Sequence, residues 1–120
     1  MRVFLDTNVL VSAVATRGLC ADLMHAILAA HELVVGETVL AELRRVLTKK
    51  IGIPAQMVDE LEVFLRSQAL VVEDAPPMAV AGEVDVLVTG DAHLLDIAAS
   101  APLLILNPRG LWEHLRTTPA

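Results

Sequence analysis

The chain has 120 residues, 55% of them hydrophobic, a length and composition typical of one globular domain with a single core. Its net charge of −6 argues against a protein that holds nucleic acid mainly by neutralising phosphates. It does not exclude a nuclease, because carboxylates that bind a metal ion present positive charge locally. No uncharged run approaches the roughly 18 residues of a membrane span. The single cysteine, Cys20, cannot form an internal disulfide, so we expect a cytoplasmic protein.

The first predicted strand ends in three polar residues. The apolar run 3–5 stops at Asp6, and Thr7 and Asn8 follow before apolar residues resume. This pattern predicts a buried strand that leads into a capped helix. It places Asp6 at the carboxyl edge of a sheet, where the loops of α/β proteins part to form a ligand crevice. The alternative is that Asp6 and Thr7 only cap the helix.

The middle of the chain alternates helical and strand patterns. Apolar spacing predicts helices over 8–15, 19–30, 37–50, 55–68, 92–99 and 111–115, and strands at 33–35, 69–72 and 103–106. In the fourth helix the residues expected to face inward are Met57, Val58, Leu61, Phe64 and Leu65.

Glu42 lies on the border of the apolar stripe of the third helix, in line with Arg45 and Lys49. We therefore expect it to be half-buried beside the core. One interpretation of Glu42 is an ion pair with Arg45 at helical spacing. The other is a carboxylate that completes a metal site.

A second strand end repeats the pattern of the first. The β-branched run 84–89, which contains Asp85, leads through a glycine to Asp91. Asp91 therefore stands, like Asp6, at the carboxyl end of a strand beside a threonine, here Thr89. Two such ends in one parallel sheet can face each other across the same crevice.

Acids from separate elements can converge at that edge: Asp6, Glu42 and Asp91, with Asp85 as a further candidate. Like charges at close range need a proton or a cation. An all-oxygen set suits Mg²⁺ or Mn²⁺, and the sequence lacks the Cys/His pairs of a zinc site. Such an ion would lower the pKa of a bound water and polarise a phosphodiester. Polar neighbours would orient the ligands by hydrogen bonds: Thr7, Asn8 and Thr89.

These motifs together resemble the PIN domain family, and within it the VapC-like toxins of toxin-antitoxin systems. The resemblance is carried by VFLDTNVL at 3–10, LAEL at 40–43, DVLVTGD at 85–91, and the closing segments 94–95 and 105–108. It implies an α/β fold of three layers, with a central parallel sheet of four to five strands flanked by helices. It also implies a Mg²⁺-dependent endoribonuclease for single-stranded RNA, a homodimer, held inactive by a protein antitoxin.

The resemblance also implies roles for individual residues in this single domain, residues 1–120. By position, Asp6 and Glu42 are metal ligands and Asp91 is the later catalytic acid. Asn8 and Thr89 are supporting polar residues. Several basic residues are candidates to meet RNA phosphates, although a solvated helix face is the alternative: Arg44, Arg45, Lys49, Lys50 and Arg66.

The chain departs from the family between the third and fourth strands. Members usually carry an acidic loop and a helix there, whereas this chain has only residues 73–83. A parallel crossover normally needs a dozen or more residues and a covering helix. Either one sheet face is exposed for a partner, or, as we favour, roughly 20 residues are absent near 79–86, with Glu83 or Asp85 as remnants of the acidic loop.

Two other functions are consistent with the residues. A catalytically inactive PIN-like module would bind protein partners and cleave nothing. A receiver-like domain would need a lysine near a late strand end, and the chain has no lysine after Lys50.

Overall fold

Five parallel strands form one sheet in the computed structural model, which describes residues 1–73, 84–96 and 104–117. The strands are β1 Arg2–Leu5, β2 Glu32–Gly36, β3 Ala69–Val72, β4 Val86–Val88 and β5 Leu104–Leu106. They stand in the order β3-β2-β1-β4-β5, and each neighbouring pair is parallel. The strand order changes direction at β1, so the carboxyl ends of β1 and β4 lie side by side at the point where α/β sheets open a crevice.

Six α-helices lie within the described residues, five before β5 and one after it. They are α1 Thr7–Ala15, α2 Leu19–Ala30, α3 Glu37–Arg45, α4 Ala55–Gln68, α5 Ala92–Asp96 and α6 Pro108–Thr117. The predicted bounds 19–30, 55–68 and 69–72 are confirmed. The predicted helix over 92–99 is confirmed as far as Asp96, and its remainder lies outside the described residues. The last helix is longer than the predicted 111–115.

Alternating side chains of the strands supply two hydrophobic cores. Val3 and Leu5 of β1 face the larger core, which α1, α2, α3, α4 and α6 complete. Phe4, between them, faces the opposite side of the sheet, because successive strand residues point to opposite faces. The predicted α/β fold, a parallel sheet with helices on its faces, is confirmed.

The second face of the sheet is covered over β1, β2, β4 and β5. Phe4, Val34, Leu87 and Ile105 are at most 4% exposed, and side chains of α5 pack against them. The alternative of a sheet face left exposed for a partner is therefore wrong for these four strands, whereas Leu70 of β3, in register with Val34, is 38% exposed on the same face. Residues 74–83 of the crossover lie outside the described residues, so the absence of roughly 20 residues near 79–86 stays a prediction.

The predicted helix over 37–50 changes winding part of the way along. After Arg45 the chain continues as a π-helical segment, Val46–Ile51, in which backbone hydrogen bonds join residues five apart. Gly52 ends it with a left-handed φ of 83°, donating its N–H to the carbonyl of Leu47. The Thr48 hydroxyl donates to the carbonyl of Arg44 at 2.8 Å, a side-chain bond that competes with α-helical bonding.

The inward face predicted for α4 is partly wrong. Val58 and Leu65 are buried as expected, but Met57 is 58% exposed and Phe64 is 46% exposed. Val63 on the same helix is 69% exposed. The buried stripe of α4 is therefore narrower than its apolar sequence pattern.

Among the described residues, no single helix has the length and apolar composition to cross a membrane, and only α1 and α2, bent at 96°, pass that test as a pair.

Candidate functional site

The candidate site is at the carboxyl edge of the sheet, where β1 and β4 end together. Leu5 of β1 is in register with Val88 of β4, so the next residues, Asp6 and Thr89, are neighbours. The backbone hydrogen bonds between neighbouring strands continue past the ends of β1 and β4. The Asp6 N–H donates to the Val88 carbonyl at 3.1 Å, and the Thr89 N–H donates to the Leu106 carbonyl at 3.0 Å. The backbone of both polar residues is therefore fixed to the sheet.

Asp6 uses both carboxylate oxygens. Its Oδ1 accepts the N–H of Val9 at 3.0 Å, which makes Asp6 the N-cap of α1. Its Oδ2 accepts the hydroxyl of Thr89. The capping role considered for Asp6 is thus present, but it engages only one oxygen. The other oxygen is held across the sheet by a residue 83 positions away in the sequence.

Thr89 connects the two predicted acids. Its side chain is fully buried, and its hydroxyl donates to Asp6 while accepting the N–H of Asp91 at 3.0 Å. A hydroxyl has one hydrogen to donate and lone pairs to accept, so both capacities are used. The structure thus assigns to Thr89 a supporting contact of the kind the sequence suggested.

Asp91 is exposed at the same edge and immediately precedes α5. Its Oδ1 accepts the N–H of His93 at 2.8 Å, and its carbonyl accepts the N–H of Leu95 at 3.0 Å. These bonds orient the Asp91 side chain, while no bond to Oδ2 occurs within the described residues. Asp6 and Asp91 therefore stand at one edge and are joined through the Thr89 hydroxyl.

Glu42 is placed differently from the prediction. It is exposed rather than half-buried, because Leu40 and Leu43 define the buried side of α3. The ion pair with Arg45 is not formed within the described residues. The helix does start from the carboxyl end of β2 and packs against α1, so Glu42 lies about one and a half turns along α3 from the sheet edge that carries Asp6.

Asp85 lies at the other end of the sheet. It precedes β4, where its Oδ2 accepts the N–H of Arg2 at 2.7 Å and its own N–H donates to the Arg2 carbonyl at 2.9 Å. Asp85 and Thr89 are four positions apart in extended chain, roughly 13 Å. The prediction that Asp85 joins a metal site with Asp6 is therefore wrong: its carboxylate fixes the amino end of β1. Glu83 lies outside the described residues.

The remaining predicted residues make fewer contacts. Thr7 is half-buried and Asn8 is exposed at the start of α1, and neither side chain hydrogen-bonds to a described residue. Their orienting role stays a prediction. Arg44 forms an ion pair with Asp59 of α4, whereas Arg45 and Lys49 are exposed.

Cys20 is a neighbour of the site that sequence reasoning missed. Burial raises the pKa of the Cys20 thiol, and the negative charge of Asp6 raises that pKa further. The negative charge of Asp6 therefore acts on a side chain of α2. The thiol stays protonated at neutral pH and is a poor metal ligand. No local sequence signal relates residues 6 and 20; only the packing of α2 against α1 does.

The donors at this edge suit a hard cation. Within the described residues, no group of three or more acidic, histidine or cysteine side chains comes together. Asp6 and Asp91 supply carboxylate oxygens, and Mg²⁺ is typically bound by one or two carboxylates while it keeps several waters and shares substrate phosphates. The two carboxylates at this edge are donors of the kind that Mg²⁺ takes, and the described residues form no closed protein cage around an ion.

Comparison with known proteins agrees with the family resemblance noted in the sequence. The PIN domain family model matches residues 3–105. The chain therefore belongs to the PIN domain family, members of which are generally nucleases.

A solved structure shows the same fold. It is a chain of VapBC2 from Rickettsia felis, bound to a DNA fragment from their promoter, with a TM-score of 0.59 and 16% sequence identity. The match covers 89% of the present chain and 98% of the other. No curated protein matches the sequence.

Proposed function

We propose that this protein is a Mg²⁺-dependent or Mn²⁺-dependent endoribonuclease that cleaves single-stranded RNA, and that it is the toxin of a toxin-antitoxin pair. The observation that carries the proposal is the pair of acids Asp6 and Asp91, joined through Thr89 at the carboxyl edge of the sheet. Membership of the PIN domain family supports a nuclease, and the fold shared with a VapBC complex supports a toxin.

Asp6 and Asp91 would hold the metal ion, and Glu42 on α3 would be the third acid of the set. The ion supplies charge stabilisation to a phosphodiester and lowers the pKa of water. An ionised carboxylate has about four lone-pair sites, so the single hydrogen bonds to each oxygen of Asp6 leave acceptor capacity for an ion.

The protein's own contribution is to orient these carboxylates in advance. The Val9 N–H and the Thr89 hydroxyl hold the two oxygens of Asp6, and the His93 N–H holds one oxygen of Asp91. A ligand that is already fixed loses little rotamer freedom when it binds. The backbones of Asp6 and Thr89 are anchored to the sheet, and the Thr89 hydroxyl holds the Asp91 N–H at the same edge.

The test is cleavage of a labelled single-stranded RNA with and without Mg²⁺ or Mn²⁺. We expect cleavage that requires the divalent ion and falls at least about 100-fold in Asp6→Asn, since metal-assisted stabilisation is worth several kcal/mol. Asparagine is as good an N-cap as aspartate, so this variant keeps α1 and removes the charge.

Asp85→Asn is the matched control, because Asp85 is the same residue type at the opposite edge. It should cleave as the unmodified protein does. Cleavage unchanged in Asp6→Asn, or equal without divalent ions, would contradict the proposed reaction.

The proposal includes partners and a location. A protein antitoxin and a second copy of the chain are proposed partners, and the cytoplasm is the proposed compartment. The apolar side chains exposed on α4, Met57, Val63 and Phe64, support a protein partner, because exposed apolar patches commonly mark such contacts.

A catalytically inactive PIN-like module that binds protein partners is the second candidate. The observation in its favour is that the described residues bring no three potential metal ligands together. It predicts no RNA cleavage with any divalent ion and no loss of partner binding in Asp6→Asn, so the same cleavage experiment separates the two functions.

A further inference from the structure

Three basic residues form a strip on α3 and its π-helical extension: Arg45, Lys49 and Lys50, called here the basic strip. All three are exposed. The strip contains both lysines of the chain and three of its nine basic residues, in a protein of net charge −6. Such a concentration of positive charge in an acidic protein marks a surface for a negatively charged ligand.

The π-helical segment brings Lys50 into the strip. In an α-helix the neighbours of a residue on the same face are three and four positions away, and the residue five positions away turns off that face. In a π-helix the backbone bond joins residues five apart, so the chain completes its turn later. Lys50, five positions after Arg45, therefore comes round to the face of Arg45, while Lys49 remains beside it.

The charges of the strip are free for a ligand. Four other basic residues are paired with carboxylates: Arg2, Arg44, Arg66 and Arg109. Within the described residues, by contrast, no acidic side chain lies within ion-pair distance of the basic strip. Arg44 and Arg66 of the earlier phosphate candidates are thus already neutralised, by Asp59 and by Glu37 with Glu62 respectively.

The strip lies on the element that connects to the candidate site. The helix α3 begins at the carboxyl end of β2, at the sheet edge that carries Asp6, and Glu42 is one turn before Arg45. The strip continues the same helix away from that edge. A polyanion bound along it would approach the acids from one side.

We propose that the basic strip binds the phosphate backbone of RNA on its way to the carboxyl edge, with Lys50 included because of the π-helical winding. This inference rests on the proposed ribonuclease function and names the surface that holds its substrate. Binding by the strip is expected to be independent of the RNA sequence, because lysine and arginine side chains that contact phosphates do not recognise the bases.

The test is fluorescence anisotropy with a labelled single-stranded RNA of mixed sequence, in EDTA to prevent cleavage, over a series of salt concentrations. For single strands the slope of log K against log salt is negative, and its magnitude falls by about 0.7 for each phosphate contact removed. The triple variant Arg45→Gln, Lys49→Gln, Lys50→Gln should lower the magnitude of that slope by about 2 and weaken binding at low salt. Arg116→Gln, an exposed arginine on α6, is the control and should change neither.

Single variants test the π-helical contribution. Lys50→Gln should lower the magnitude of the salt slope by about as much as Lys49→Gln does, about 0.7 each. A loss in Lys49→Gln with none in Lys50→Gln would overturn the assignment of Lys50, and an unchanged slope in the triple variant would overturn the strip.

The two proposals fail in different ways. RNA bound through the strip but never cleaved with Mg²⁺ or Mn²⁺ would overturn the ribonuclease and leave the binding surface in place. Cleavage and binding both unaffected in the triple variant would overturn the strip and leave the ribonuclease.

Discussion

Thr89 is the residue on which the geometry of the candidate site depends. Its hydroxyl contacts both acid-bearing segments, and its side chain has no access to solvent. Buried polar groups that lose a partner cost far more than exposed ones. A change at this one atom therefore affects both the fold and the proposed chemistry.

Thr89→Val keeps the shape of the side chain and removes the hydroxyl. We expect the free energy of unfolding in urea to fall by about 1–3 kcal/mol, because the Asp91 N–H and an Asp6 oxygen lose their partner. We expect RNA cleavage to fall about 10- to 100-fold, as for the loss of a residue that orients a ligand. Thr89→Ser restores the hydroxyl and should recover most of both; a Thr89→Val protein that cleaves at the full rate would contradict this role.

The single cysteine reports on the charge of Asp6. Since the negative charge of Asp6 contributes to the raised pKa of Cys20, Asp6→Asn should lower that pKa and increase the thiolate fraction at a given pH. The measurement is the rate of alkylation of Cys20 by iodoacetamide from pH 7 to pH 11. Asp6→Asn should react faster at the lower pH values and converge with the unmodified protein once the thiol is fully ionised.

Asp85→Asn should follow the unmodified protein at every pH, because Asp85 lies at the other edge of the sheet. A rate that is higher in Asp6→Asn even at the highest pH would indicate a change of access rather than of charge, and would contradict the electrostatic explanation.

At the scale of the elements, Gly52 fixes the end of the π-helical segment. Its φ of 83° is in the left-handed region, and a Cβ there would contact nothing within 4 Å. The constraint is therefore one of backbone conformation and not of space. The segment that carries Lys49 and Lys50 depends on this one residue for its termination.

Gly52→Ala should lower the free energy of unfolding by about 1–2 kcal/mol, the cost of a left-handed conformation for a residue with a Cβ. Gly90→Ala is the matched control, because a Cβ at Gly90 also meets nothing within 4 Å, but Gly90 has no positive φ. It should be neutral or stabilising by up to about 1 kcal/mol. Equal losses in urea unfolding for the two variants would contradict the conformational explanation.

The sequence predicted the bounds of helices and strands well where the spacing of apolar residues fits only one type of secondary structure. The helices over 19–30 and 55–68 have the bounds expected from their apolar spacing, and the polar ends of two strands correctly place Asp6 and Asp91 at one edge. Strand ends are informative because parallel strands all point the same way.

The errors arose where one sequence pattern is compatible with two placements of a residue in the fold. Glu42 lies next to an apolar stripe, but period alone does not tell which border of a stripe turns toward the core. Asp85 is the second residue of the predicted strand 84–89, so the prediction already placed it at the amino end of that strand, and the structure keeps it there, at the edge opposite to Asp6. Met57 and Phe64 continue the apolar pattern of α4 but remain exposed, because the neighbouring elements do not extend over them. The π-helical winding has no signal in the sequence beyond Thr48 and Gly52.

At the scale of the whole molecule, the predicted absence of residues near 79–86 has a direct measurement. It requires the intact native protein to have a mass about 2 kDa above the 12.9 kDa of this chain, the weight of roughly 20 residues of loop and crossover helix. A native mass of 12.9 kDa would contradict it. Burial of the second face over β1, β2, β4 and β5 removes part of one physical reason for expecting the extra segment, while Leu70 of β3 is exposed on that face.

The backbone bonds that extend past β1 and β4 have a consequence for hydrogen exchange. The amide protons of Asp6 and Thr89 belong to residues outside the strands, yet both are held by carbonyls of the neighbouring strand. Exchange of the Asp6 amide requires the central strands β1 and β4 to separate, an opening close to global unfolding, whereas exchange of the Thr89 amide requires only that the edge strand β5 leave β4. The Asp6 side of the acid-bearing edge is therefore as rigid as the centre of the sheet: any condition that frees the Asp6 amide also dismantles the core of the protein, while the Thr89 amide can be freed first.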